Sequence, residues 1–244
     1  MPAAGSVAVI GAGAMGVALA GHLRRGGSSV TLLASALDGD VTDAWTRGAP
    51  HPRLLLPFPD VPLRPRDAWR QALPGADVVL VAVTTAGLAP VLADAAPAAD
   101  PDAVWALATK GWDSAPLAGE LAVGAPTGLI CAAPDRTSRR RVAGLPTNGT
   151  TRAVTTSDVA GIETAAAFKN VVAVAVGVAE GLASRLGQSA VVGNFGDAQA
   201  AVFAAGLLDM RRLVAACGGE RSSASATSSW RHCPDRPGPA DADQ

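Results

Sequence analysis

Lysine is scarce in this chain: among its 20 Lys and Arg residues, only Lys110 and Lys169 are lysines. Lys169 lies in the apolar stretch AAAFKNVVAV. If that stretch is helical, the i±3 and i±4 neighbours of Lys169 are Ala165, Ala166, Val172 and Ala173, so its ammonium cannot readily snorkel to water along its own face. Burial disfavours the charged form of a lysine, and that lets a lysine exchange a proton near neutral pH. Lys169 is therefore the candidate acid/base, the alternative being a packed stem with a tip in solvent. Lys110 closes a predicted strand in Ala-Thr-Lys-Gly, on the rim where an open α/β sheet binds ligands. Its alternative is a strand-end lysine in water.

The second chemical signature is SVAVIGAGAMG, residues 6–16. A β-branched run ends at Gly11, the glycines at 11, 13 and 16 fit G-x-G-x-x-G, and a helical pattern (Met15, Leu19, Ala20, Leu23) starts at once. Gly11 permits a tight turn, Gly13 lets backbone approach a pyrophosphate, and Gly16 permits close packing of the helix. The helix N-terminus offers unpaired N–H groups to the phosphates. A glycine-rich turn without a ligand is the bland alternative. Strand, turn, helix and a second strand at 30–34 favour a dinucleotide site.

The elements that must position these residues follow from the rest of the chain. Its 244 residues are 49% hydrophobic and 17% charged, with no tyrosine, so alanine and valine must carry the core. A net charge of −1 without a basic stripe gives no reason to expect a nucleic-acid partner. Three separated cysteines without C-x-x-C point to a reducing, cytoplasmic setting and to no metal site. The apolar run 171–179 is shorter than a membrane span requires, and the N-terminus lacks the basic segment of a signal peptide.

Strand and helix patterns alternate through the first two thirds: strands at 6–10, 29–34, 77–83, 103–108 and 128–131, helices at 67–73 and 86–96. DVVLVAV, residues 77–83, is continuously apolar, as a parallel strand covered on both faces should be. The proline-rich stretch 47–65 reads as an extended crossing. Long helical patterns follow at 162–182 and 197–216. The expected fold is α/β, a Rossmann-type doubly wound parallel sheet over residues 1–157, then an incomplete all-α domain over 158–217. A disordered tail is expected over 218–244, where Ser, Pro and Asp replace any periodicity.

In order, VIGAGAMG, DVVLVAVTT, WALATKG, AGLPT, AAAFKNVVAVAVGVAEGL and GLLDMRRL resemble the NAD(P)-dependent glycerol-3-phosphate dehydrogenases, from Val7 to about Leu213. The resemblance implies NAD or NADP as cofactor and a phosphorylated triose as substrate. Gly11, Gly13, Ala14, Met15 and Gly16 would hold the dinucleotide, with Ser35 beside it after the second strand. Lys110 would stand between cofactor and substrate, Lys169 would be the acid/base, and Asn170 would help hold that geometry. A ketopantoate reductase-like enzyme, which also carries a lysine on its first helix after the Rossmann domain, is the enzymatic alternative. A non-catalytic dinucleotide-binding remnant is the other.

The chain departs from the family at four places. No acid stands at the end of the second strand to take a ribose hydroxyl, and no arginine to take a 2′-phosphate, which leaves NAD against NADP open. The loop expected to carry a Gly-Pro-Ser/Thr turn reads CAAPDRTSRRRV, a solvated basic loop, the alternative being a phosphate-binding cluster of the three arginines at 139–141. The link between the two long helices carries an extra ASRLGQSAVVGNFG. From Ser222 onward there is neither a Gly-Asp-Leu segment nor an Arg-Asn pair. Uncovered apolar helix faces are expected to drive a homodimer through the helical region.

Overall fold

The computed structural model describes residues 5–108, 115–145, 150–185 and 196–226. The chain divides into two units, Met1–Cys131 with Thr137–Val154, and Ala132–Arg136 with Thr155–Gln244.

In the first unit β1 (Ser6–Ile10), α1 (Ala14–Arg25), β2 (Ser29–Leu33), α2 (Gly39–Thr46) and β3 (Leu63–Arg64) are followed by α3 (Trp69–Ala72), β4 (Val78–Val81), α4 (Thr85–Ala95), β5 (Val104–Leu107) and α5 (Ala115–Ala122). The five strands form one sheet in the order β3-β2-β1-β4-β5. Every pairing is parallel, with Val7 opposite both Val30 and Val78. The order reverses beside β1, which puts the turn after β1 at the switch point where such sheets bind ligands.

Both faces of the sheet are covered, and the strands show it residue by residue. Val7 and Val9 of β1 pack with Val17, Leu19 and Leu23 of α1 and Leu121 of α5, while Ala8 and Ile10 pack with Trp69, Leu73, Val91 and Ala95. In β4, Val78 and Leu80 face one layer and Val79 and Val81 the other. The strand period of two, with both faces dry, explains why these strands read as continuous apolar runs.

The proline-rich crossing contains no helix, as expected, but it is not extended throughout: it makes a hydrogen-bonded turn at 51–56 and ends by adding β3 to the edge of β2. The expected strand at 128–131 exists as β6 (Thr127–Ala132), but it pairs with β7 (Thr151–Thr156) in a separate two-stranded sheet. Its hydrogen-bonding groups are taken by this sequence neighbour, beginning with Thr127 N–H donating to Thr150 O at 3.0 Å. Between them the stretch read as a basic loop is helix α6 (Arg136–Gly144), which seats Arg139, Arg140 and Arg141 on a helical turn.

The second unit contains α7 (Val159–Arg185), α8 (Gly196–Ala216) and α9 (Arg221–Ala226). Ala165 and Val172 of α7, Met210 and Val214 of α8 and Ala224 of α9 form one buried cluster. A Cβ at Gly206 would stand 2.8 Å from both methyl groups of Val172, so glycine there sets how closely α8 approaches α7. Helix α9 corrects the expected disorder from 218: Ala224 is fully buried, and Asp158 accepts hydrogen bonds from Glu220 N–H and the Ser223 hydroxyl. The remaining tail, from 227, lies outside the described residues.

Over Val159–Leu182, α7 is long and apolar enough, by length and composition alone, to cross a membrane, with a mean hydropathy of 1.5. A core helix passes the same test, and Ala165 and Val172 are buried in the α7–α8 cluster. The opposite stripe, Val171, Val174, Val178 and Leu182, is exposed.

Candidate functional site

Each glycine of the turn after β1 has its own steric reason. Gly11 has φ +104°, the left-handed region, and a Cβ there would stand 2.7 Å from Ala82 O and 2.9 Å from Val83 Cγ1. A Cβ on Gly16 would collide with the carbonyl oxygen of Gly11 and touch the Cβ of Ala82. Gly13 differs: nothing lies within 4 Å of where its Cβ would be. It is the N-cap of α1 and offers no side-chain cap.

The first intrahelical hydrogen bond of α1 runs from Val17 N–H to Gly13 O, at 3.0 Å. By helix geometry the N–H groups of Ala14, Met15 and Gly16 then point out of the N-terminus with the positive end of the dipole behind them. No acidic side chain stands in the first turn to compete for them. Open space before Gly13, free donors behind it and packed backbone on either side fit a dinucleotide pyrophosphate.

Two buried side chains converge on this turn, and neither was read from the sequence. Asp38, beyond the end of β2, folds back so that Oδ2 accepts from Ala12 N–H at 2.9 Å, Ser35 N–H at 2.8 Å and the Ser35 hydroxyl at 2.7 Å. This corrects the reading that no acid stands at the end of the second strand. The acid is there, four residues late in sequence and brought back by a turn. The signal available was Ser35-x-x-Asp38, a pattern in which a carboxylate bonds the backbone three residues earlier. Ser35, expected beside the cofactor, is buried, with its hydroxyl committed to Asp38.

The second is His51, fully buried on the proline-rich crossing. Its Nδ1 accepts from Arg53 N–H and Leu54 N–H, each at 3.1 Å. A ring nitrogen that accepts carries no proton, so these partners assign the proton to Nε2, which donates to Ala12 O at 3.1 Å. Burial pushes the His51 pKa below its ordinary 6.5, against the hydrogen bond to Ala12, which acts to raise it. Three histidines in 244 residues and no helical period around position 51 left nothing in the sequence to single it out.

The expected lysines fare differently. Lys110 lies outside the described residues. Lys169 is on α7 but exposed, which corrects its expected burial. Of its four helical neighbours Ala165 and Val172 face the buried cluster, while Ala166 and Ala173 are exposed. The lysine thus stands at the border of the covered stripe, because α8 and α9 cover only one side of α7. Asn170 beside it is half-buried.

At the N-terminus of α7, Asp158 bonds Gly161 N–H at 2.9 Å and Glu220 N–H at 2.7 Å. Burial acts to raise its pKa, but the bonds from Ser223, Gly161 and Glu220 outweigh it and hold the carboxyl below the usual range. Among the described residues no group of three or more His, Cys, Asp or Glu side chains is placed to hold a metal ion. An open cleft lined by Arg66, Trp69, Arg70 and Asp94 contains none of the predicted site residues, and Arg66 is paired there with Asp94.

Comparison with known proteins gives two family matches that meet these two units. Residues 6–119 match the model for the NAD-dependent glycerol-3-phosphate dehydrogenase N-terminus, and residues 158–230 match that for its C-terminus. The chain is 30% identical over 252 residues to a glycerol-3-phosphate dehydrogenase [NAD(P)+] of Halorhodospira halophila, covering 89% of this chain and 69% of that protein. It is 32% identical over 243 residues to the corresponding enzyme of Koribacter versatilis, covering 87% and 68%. Among solved structures, glycerol-3-phosphate dehydrogenase from Coxiella burnetii superposes with a TM-score of 0.71 at 25% identity, over 91% of this chain and 72% of that one. The C-terminal match extends to residue 230, through α9 and beyond the point where disorder was expected.

Proposed function

The chain belongs to the NAD-dependent glycerol-3-phosphate dehydrogenase family, oxidoreductases that work with NAD or NADP, and from that membership we propose how its own residues divide the work. The Gly11–Gly16 turn binds the pyrophosphate of the dinucleotide, and the reaction interconverts glycerone phosphate and sn-glycerol 3-phosphate in the cytoplasm. The observation that carries this reading is the contrast within the turn: open space at Gly13, backbone against Gly11 and Gly16.

The dinucleotide, held by the Gly11–Gly16 turn, would supply the hydride for the carbonyl carbon or accept it in the reverse direction. Lys169 Nζ hydrogen-bonds the carbonyl oxygen, gives it a proton as the alkoxide develops, and recovers that proton in the oxidising direction. Asn170 supports the lysine, and Lys110 stands between cofactor and substrate. A lysine acts best in this way when water is excluded. The exposed stripe Val171, Val174, Val178 and Leu182, on the face of α7 away from Lys169, with Phe203 and Leu208 exposed on α8, supports a second copy of the chain as the cover of that stripe.

The test is an NADH titration by fluorescence beside an assay of NADH oxidation with glycerone phosphate. Wild type should bind and turn over. Gly13→Val should lose binding by at least ~100-fold with an unchanged melting temperature, since a side chain there enters only the ligand's space. Binding without turnover would leave a dinucleotide-binding remnant; equal affinity in the variant would remove the turn from the site.

A further inference from the structure

Two buried, ionisable side chains from different loops end on one residue, Ala12, which lies inside the G-x-G-x-x-G turn but is not one of its glycines. Asp38 Oδ2 takes the Ala12 N–H and His51 Nε2 donates to the Ala12 carbonyl. The two bonds act on different peptide planes. The N–H of Ala12 belongs to the plane shared with Gly11, and its C=O to the plane shared with Gly13.

No peptide bond among the described residues is cis. In a trans peptide the C=O and N–H of one plane point in opposite directions. When Asp38 holds the Ala12 N–H, the Gly11 carbonyl is therefore turned the other way, and it is found where a Cβ of Gly16 would be. When His51 holds the Ala12 carbonyl, the Gly13 N–H is turned away from His51, at the one glycine of the turn with open space around it.

We propose that Asp38 and His51 are positioning residues for the dinucleotide, a two-sided clamp that sets both peptide planes at Ala12 and so aims the Gly13 N–H at the pyrophosphate. The proposal rests on the dinucleotide-binding reading above. Neither side chain touches the cofactor. A glycine-rich segment populates many backbone states, and fixing it before binding removes an ordering cost that would otherwise weaken affinity. Both clamp groups are buried, so their bonds face little competition from water.

Two substitutions at one position separate this role from mere support of the fold. His51→Asn places an acceptor near Nδ1, which the Arg53 and Leu54 N–H groups need, and removes the donor to Ala12. His51→Gln does the reverse, reaching Ala12 with an amide N–H while leaving the 51–54 turn without its acceptor. NADH affinity is read by fluorescence titration at pH 7.5 with melting temperatures beside it. His51→Asn should weaken NADH about tenfold, the size of one lost hydrogen bond. His51→Gln should stay within about threefold of wild type even where it melts lower.

Equal affinity of His51→Asn and wild type, or equal losses in the two variants, overturns the clamp. Should His51→Asn not fold, Asp38→Asn carries the test: it weakens the bond to the Ala12 N–H by removing the charge, and wild-type affinity there overturns the proposal. Gly13→Val distinguishes the layers. If wild type binds NADH and Gly13→Val does not, an unaffected His51→Asn removes the clamp alone. If wild type binds no NADH, the dinucleotide reading falls and the clamp falls with it.

Discussion

The turn at Gly11–Gly16 and the helix carrying Lys169 are the two places where the sequence announces chemistry, and they are built in opposite ways. Around Ala12 nearly every group has an assigned partner: Gly11 N–H donates to Leu33 O, Ala12 is held at both ends, and two of three glycines face backbone. Along α7 one stripe is buried and the opposite one faces solvent, with Lys169 exposed at the border of the buried stripe. A phosphate cradle is made of backbone groups whose direction is set within a few residues, so it is complete as soon as its own unit folds. An acid/base lysine needs a dry environment, and only elements from outside its own helix can supply one.

Substitutions can break this contrast. The largest effect is expected at Gly16→Val. Its Cβ meets the Gly11 carbonyl, which cannot move without dragging β1 and Ala12, so the first unit should fail to fold or lose more than about 3 kcal/mol. Circular dichroism melts beside Gly13→Val, where the same side chain meets nothing, give the comparison directly. Equal stability of the two variants would mean that the turn is not the rigid element described.

Lys169→Met comes next. It keeps the length of the side chain and removes the ionisable nitrogen, so turnover of glycerone phosphate should fall by about 10²–10⁴-fold. The melting temperature should barely change, because the residue is exposed. Full activity would move the acid/base role off α7; a large loss of stability would mean that the lysine is covered in solution.

The smallest effect is a difference in acid sensitivity between the units. His51 has a folded pKa below its ordinary 6.5, so its contribution is complete above 6.5 and is lost as pH falls from there through the folded value. Asp158 is held below its ordinary 3.8, so the tie between α7 and α9 persists until pH falls past that value. Between pH 7 and 5, amide exchange corrected for its intrinsic pH dependence should loosen residues 51–56 and the glycine turn while α9 stays protected. Simultaneous loosening, or α9 first, would contradict the assignment of these two groups.

The alternating strands and helices, the apolar runs of a doubly covered sheet and the three glycines were all legible in the sequence, because each is set by spacing within one element. Gly16 answers the Gly11 carbonyl within the turn itself, whereas the atoms packed against Gly11 belong to Ala82 and Val83 beyond β4. The hold of Asp38 and His51 on Ala12 was not legible, since it spans 26 and 39 positions, even though Ser35-x-x-Asp38 gives a local signal for the turn that Asp38 makes with Ser35. The sequence also predicted a buried Lys169 from four small or apolar neighbours. Neighbours on one helix show what surrounds a side chain along its own axis, but burial depends on what packs across it. It was the tertiary structure that decided which face of α7 is covered, that residues 221–226 form a helix tied to Asp158, and that a proline-rich crossing delivers a histidine to the glycine turn. The reason is the same in each case: backbone propensity is local, whereas desolvation and hydrogen-bond partnership are set by chain segments that only folding brings together.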